Sequence, residues 1–236
     1  AALAQRFHDQ GNTVIVAGRT QRTLDVTCAG RENMHAMIFD VESAPAILEF
    51  AERVLALHPD LNVLINNAGI MRSEILDRRR DLADAEATIV TNLLGPIRMT
   101  NVLIDHLVAR PDAAIVNVSS GLAFVPLFTS PTYNATKAAI HSYTVAMREA
   151  LKGKVEVIEL VPPAVQTGLT PGQETRAGYQ PLAEFIDEVM AQFSRQPTPS
   201  EILVQRAHFQ RFAEAEGRFD KALAVLSELG ARTRSG

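Results

Sequence analysis

Short, continuous apolar runs recur along the chain at about 13–17, 34–39, 63–65, 113–118 and 155–161, and stretches with helical spacing separate them. A strand that reads as unbroken apolar, not alternating, has both faces covered, as in a parallel sheet between helical layers. Strand–helix alternation at this spacing predicts a doubly wound α/β domain. The intervening segments support it. Leu3 and Phe7 fall on one helical face that Gly11 stops. Residues 20–29 are weakly helical. Ser43 can cap a helix whose Ile47, Phe50, Val54 and Leu57 form one stripe. A long helical region spans about 82–109 with a kink expected at Gly95–Pro96, and another spans 132–151. After Gln166 the alternation ends, and helical stretches are expected at about 181–193, 198–208 and 219–229. No repeat or linker interrupts the pattern, so residues 1–236 read as a single domain.

Composition narrows the function classes. With 47% hydrophobic and 21% charged residues the chain is globular, not disordered. A net charge of −4, with no basic stretch, argues against nucleic acid as a partner. No apolar run approaches the roughly 18 residues of a membrane span, and no secretory leader is visible. Cys28 is the single cysteine and cannot close an intrachain disulfide, which points to a reducing compartment and a cytoplasmic location.

The segment Tyr133-Asn134-Ala135-Thr136-Lys137 carries the clearest chemistry. Positions i and i+4 share a helix face, so a phenol and an ammonium stand one turn apart. A nearby cation favours phenolate and should lower the Tyr133 pKa toward a range usable for acid–base work. Taken alone, the pattern equally describes a packed Tyr beside a solvated Lys. Its surroundings change that weighting. Ser120 closes an apolar strand, where open α/β sheets face their ligand crevice. Asn66-Asn67-Ala68-Gly69 closes the strand candidate before it. Asn92 lies on the helical stretch between those two strands, and Val165 and Thr167 follow the last strand.

In this order the motifs resemble the short-chain dehydrogenase/reductase family over about residues 1–170, with a Rossmann-type sheet implied. The resemblance implies a catalytic set of Asn92, Ser120, Tyr133 and Lys137. Tyr133 would be the acid/base, Lys137 its pKa-lowering partner and a ligand of the nicotinamide ribose, and Ser120 the hydroxyl that polarises the substrate carbonyl. Asn92 would hold a water linking Lys137 to solvent. Asn66, Ala68 and Gly69 would line the adenosine side, Asp40 and Val41 would contact adenine, and Val165 and Thr167 would meet the carboxamide. The implied activity is hydride transfer between NADP(H) and a small-molecule carbonyl or alcohol. A non-catalytic NADP(H)-binding or scaffold protein is the alternative, and an extended epimerase or dehydratase is disfavoured by the short tail.

Cofactor choice has a physical argument of its own. An acid at the end of the second strand of such a fold binds the ribose 2′-hydroxyl, whereas an Arg accommodates a 2′-phosphate. Here the run ends in Gly18-Arg19 with no acid, so NADP(H) is favoured over NAD(H). The other reading makes Arg19 an ordinary surface residue.

The chain departs from the family pattern at Pro162-Pro163, where a Gly is usual after the first Pro; this exit resembles the subgroup labelled DltE-like. The helical character of 219–229 makes a tetramer built on a last strand doubtful and leaves a homodimer through the helices around 82–109 and 132–151. Residues 168–208 are the expected substrate lid. Met71, Leu122, Phe124 and Leu169 are pocket or core candidates in equal measure. Arg78-Arg79-Arg80 reads as a solvated face, and the six histidines show no metal-ligand spacing. The first visible strand matches the second of the fold, so the central strand and the Gly-rich phosphate loop are expected upstream of Ala1.

Overall fold

The computed structural model describes residues 1–234. Helix α1 (Ala2–Asp9) leads to β1 (Val14–Gly18), α2 (Gln21–Cys28), β2 (Met34–Ile38), α3 (Ala44–Leu57) and β3 (Val63–Asn66). Then follow α4 (Ala83–Ile89), a π-helical turn (Val90–Leu94), α5 (Gly95–Val108), β4 (Ala114–Val118), α6 (Pro131–Ala150) and β5 (Glu156–Val161). The chain continues through α7 (Leu182–Phe193), β6 (Glu201–Leu203), α8 (His208–Arg211) and α9 (Phe219–Arg234). Every strand pair is parallel, as the unbroken apolar runs require.

The strands form two sheets, β1-β2 and β3-β4-β5-β6. No backbone ladder joins β1 to β3, and side chains bridge them instead. On one face a single core unites Met37 of β2, Ile47 and Val54 of α3, Leu103 of α5, Ile115 of β4 and Val157 of β5. On the other, Leu3 and Phe7 of α1 pack against the cluster built on Ile158, Val189 and Ile202. These two apolar layers pack the two sheets against common helices.

Local chemistry explains several element ends. Ser43 caps α3 by accepting from the Ala46 amide at 3.3 Å. The expected kink between 82 and 109 is a wide π turn ahead of Gly95–Pro96, where the side chain of Val41 crowds the glycine so closely that a Cβ would lie 2.6 Å from its Cγ2.

Two expectations for the C-terminal third are corrected. The helix expected over 198–208 is instead strand β6 and a short 3-10 turn, Gln205–Ala207. Its Ile202 pairs with Leu160 and is fully buried, so sheet pairing overrides a weak helical pattern. An edge strand after β5 therefore exists, while residues 219–229 are helical as expected, within α9. The expected lid is also smaller. The loop from 168 to 180, with its turn Gln173–Thr175, and the connection 194–200 lie outside the regular elements, while α7 buries Phe185, Ile186, Val189 and Met190 in the core.

Candidate active site

The C-terminal ends of β3, β4 and β5 and the start of α6 converge on one buried polar cluster. Ser120 follows β4 and caps the short turn Gly121–Ala123, its Oγ accepting from the Leu122 amide at 3.1 Å. Tyr133 and Lys137 face the same side of α6, and both are buried. The Ser120 hydroxyl acts on the Tyr133 phenol in the direction that favours its ionised form, against the effect of burial. Lys137 Nζ donates to the Val118 carbonyl at 2.7 Å and lies 5.6 Å from the centre of the Tyr133 ring.

The electrostatics differ from the sequence expectation. Burial is the dominant effect on the phenol and pushes Tyr133 up to about 12, with the Ser120 hydroxyl opposing it. Burial also draws Lys137 down from 10.5 to about 8. The i, i+4 spacing brings the cation close, but both groups have left water, and desolvation outweighs their proximity. The side chain at 133 is therefore a protonated donor at neutral pH.

Asn92 occupies the π turn and is almost wholly buried. Its Oδ1 accepts from the Ile70 amide at 2.8 Å, and its Nδ2 donates to the Ile70 carbonyl at 2.9 Å and to Thr136 Oγ1 at 3.3 Å. One amide thus ties the loop after β3 to the helix that carries Tyr133. Gly69 is wedged against this group: a Cβ there would stand 3.4 Å from Asn92 Oδ1 and 3.7 Å from Lys137 Nζ. Thr136, which sequence reasoning missed, also donates to the Tyr133 carbonyl at 2.7 Å.

A cleft of about 210 Å³ opens beside this cluster, and Ala17, Gly18, Arg19, Val41, Ala68, Gly69 and Thr91 contribute to its wall. Arg19, Val41, Ala68 and Gly69 were expected around a dinucleotide, and the structure brings them together. Two others lie elsewhere. Asn66 turns into the sheet interior, donating to Asn117 Oδ1 at 2.9 Å and Thr100 Oγ1 at 3.3 Å, and is absent from the cleft wall. Asp40 is spent on the backbone, accepting from the Glu42 amide at 3.0 Å. Small residues at Gly18, Ala68 and Gly69 leave the cleft open to a flat ligand edge, so the residues present suit a dinucleotide.

Past β5, Val165 bridges Gln180, and Gln173 Nε2 donates to the Val165 carbonyl at 2.8 Å and to Thr167 Oγ1 at 3.2 Å. Buried Gln173 thus sets the segment expected near the nicotinamide. Next to Ser120, Gly121 donates its amide to the Pro162 carbonyl at 2.9 Å, and Gln210 of α8 covers it so tightly that a Cβ would lie 2.4 Å from Oε1. Arg211 stacks on Phe124 at 4.8 Å and pairs with Glu201 through two hydrogen bonds of 2.7 and 2.8 Å. His141, Glu159 and Glu201 bring ligand-type atoms within 4.8 Å of one another, a grouping their sequence spacing conceals. The Arg211 guanidinium is already the cation on Glu201 there. Another unforeseen contact lies at the start of α6, where Glu74 accepts from the Thr132 amide at 2.9 Å and its hydroxyl at 2.8 Å.

Comparison with known proteins gives a consistent picture. The family described as short chain dehydrogenase matches residues 1–177. An uncharacterized oxidoreductase DltE of Bacillus subtilis (strain 168) is 38% identical over 178 residues, covering 75% of this chain and 71% of that protein. An NADPH-dependent 1-acyldihydroxyacetone phosphate reductase of Schizosaccharomyces pombe is 30% identical over 230 residues, covering 95% and 73%. Among solved structures, a short-chain dehydrogenase from Sphingobium yanoikuyae in complex with NADPH superposes with a TM-score of 0.77 at 22% identity, covering 94% of this chain and 90% of that one.

Proposed function

Because this chain belongs to the short-chain dehydrogenase family, within its DltE-like group, we propose that it is an NADP(H)-dependent reductase of small carbonyl compounds. Ser120, Tyr133 and Lys137 are its reacting groups. The joint burial of Ser120, Tyr133 and Lys137, with the lysine Nζ 5.6 Å from the centre of the phenol ring, carries this reading. The cofactor, when bound along Arg19, Val41, Ala68 and Gly69, supplies or accepts a hydride.

The protein's own groups handle the proton. Ser120 donates to the substrate oxygen and stabilises the negative charge that develops there. Tyr133, protonated up to about pH 12, delivers its hydroxyl proton to that oxygen and yields the alcohol. The phenolate left behind is stabilised by Lys137 one turn below and is reprotonated from that side. Asn92, fixed by Ile70 and Thr136, holds the wall of the proton path. With the phenol protonated at neutral pH, the form present is the one that carbonyl reduction consumes. Oxidation should speed up with rising pH as phenolate becomes accessible.

A panel of aldehydes, ketones and secondary alcohols, followed by the absorbance of the reduced nicotinamide, tests the assignment. Turnover that disappears in Tyr133→Phe is expected. Equal turnover in that variant would remove Tyr133 as the proton donor, and no turnover with any carbonyl alongside tight NADPH binding would show a binding protein instead. We also place the chain in the cytoplasm; among the described residues no helix is long and apolar enough to cross a membrane. A homodimer through α4, α5 and α6 is part of the proposal, since Ile89, Val108 and Val145 are exposed on those helices. Sedimentation at dilute concentration tests it.

A further inference from the structure

The end of β1 offers no acid in sequence, but the fold brings one there. Glu42, in the loop between β2 and α3, reaches Arg19: Arg19 Nη1 donates to Glu42 Oε1 at 3.0 Å. Thr91 Oγ1 donates to the same oxygen at 2.9 Å. The backbone of Glu42 is fixed as well, its amide donating to Asp40 Oδ1 at 3.0 Å and its carbonyl accepting from Arg98 at 3.4 Å. Arg19 and Thr91 both line the cleft of about 210 Å³. The carboxylate is therefore held at the rim of the nucleotide cleft by two side-chain donors, one of them the buried threonine next to Asn92.

These partners place opposite charges where the two nicotinamide dinucleotides differ. A 2′-phosphate is attracted by a guanidinium and repelled by a carboxylate beside it. A ribose 2′-hydroxyl is a donor that a carboxylate accepts. We propose that Glu42 is a specificity-determining residue of the cofactor site. Its carboxylate competes with the 2′-phosphate for Arg19 and keeps NAD(H) usable, so Arg19 draws NADP(H) while Glu42 limits the preference. The assignment rests on the nucleotide-binding role proposed above.

Glu42→Gln isolates the charge, because an amide oxygen still accepts from Arg19 and Thr91. Thr91→Val isolates the tether, because it removes a donor and leaves the charge. Calorimetric titration of the full chain with NADPH and with NADH reads both effects without any substrate. Glu42→Gln should tighten NADPH by about fivefold to tenfold. NADH should stay unchanged or weaken by about twofold. Thr91→Val should leave the ratio of the two affinities within about twofold. Glu42→Ala, which tolerates local rearrangement, should shift the ratio in the same direction as Glu42→Gln.

An unchanged ratio in Glu42→Gln and Glu42→Ala would overturn the inference. So would weaker NADPH binding, which would mean that Glu42 holds Arg19 ready for the phosphate. A shift in Thr91→Val as large as that in Glu42→Gln would overturn it too, since geometry and not charge would then govern. If the parent chain binds neither nucleotide, the proposed function itself fails, a result separate from any of these.

Discussion

The two sheets are built differently. In the four-stranded sheet, every residue of β4 before Val118 is buried, and so is every residue of β5 after Glu156. Its polar groups are buried with it, in a chain from Thr100 and Asn66 through Asn117 to Thr144. In the two-stranded sheet, β1 has no buried residue and β2 has only Met34 and Met37. Its polar contact with the cleft is the Arg19–Glu42 pair, in which Arg19 is 56% exposed. The groups proposed to be catalytic thus stand on a dry scaffold of fixed hydrogen bonds. The pair proposed to choose the nucleotide stands on a softer one, open to water and screened by it. Chemistry and cofactor choice should therefore respond separately to substitution.

The sharpest way to break this contrast is Tyr133→Phe. It should lower turnover by about 100- to 10,000-fold while NADPH binding by calorimetry stays within a few-fold. A comparable loss of nucleotide affinity would show that the two halves are not separable. Next in size is Asn117→Ala, which leaves Asn66 and Thr144 without their buried partner. Denaturant unfolding should show a loss of about 2–3 kcal/mol, whereas Val14→Ala in β1 should cost under about 1 kcal/mol. Equal losses would mean that β1 is as well supported as β4.

The buried lysine predicts a pH dependence. Lys137 titrates near 8 in the fold and at its ordinary 10.5 when unfolded. Between those values the unfolded chain binds the extra proton, so stability rises with pH from about 8 toward 10. Chemical denaturation across that window should show the rise, and Lys137→Met should flatten it. A modest effect is expected for Gly121→Ala. Its methyl meets the far end of Gln210, which can shift, so about 1 kcal/mol is expected. Melting temperature checks it, and a second change, Gln210→Ala, should recover most of the loss.

Much of the fold is legible in sequence because local rules determine it. The runs TVIVA and AAIVNV can be little else than strands, and Tyr133 and Lys137 share a face by helical period alone. β6 is hidden because three residues, only two of them apolar, become a strand only by pairing with β5. Glu42 is hidden because it reaches Arg19 across 23 positions. Asn66 sits in the right motif but points into the sheet, since a motif fixes the neighbourhood of a residue and not the rotamer. The Tyr133 shift is hidden for a different reason. Spacing reveals proximity, while desolvation depends on the whole shell of atoms around the ring.

The wide turn at Val90–Leu94 imposes an arithmetic of its own. Each residue of an α-helix advances the side chain by about 100°, and a π turn absorbs one residue more than the regular helix needs. Asn92 faces Ile70 and Thr136 only because that surplus is present. Deleting one residue between 90 and 94 would straighten the segment into an ordinary helix and turn the amide away by roughly a quarter of a revolution. The connection between β3 and β4 thus counts residues: its length is set by the direction in which a single amide must point.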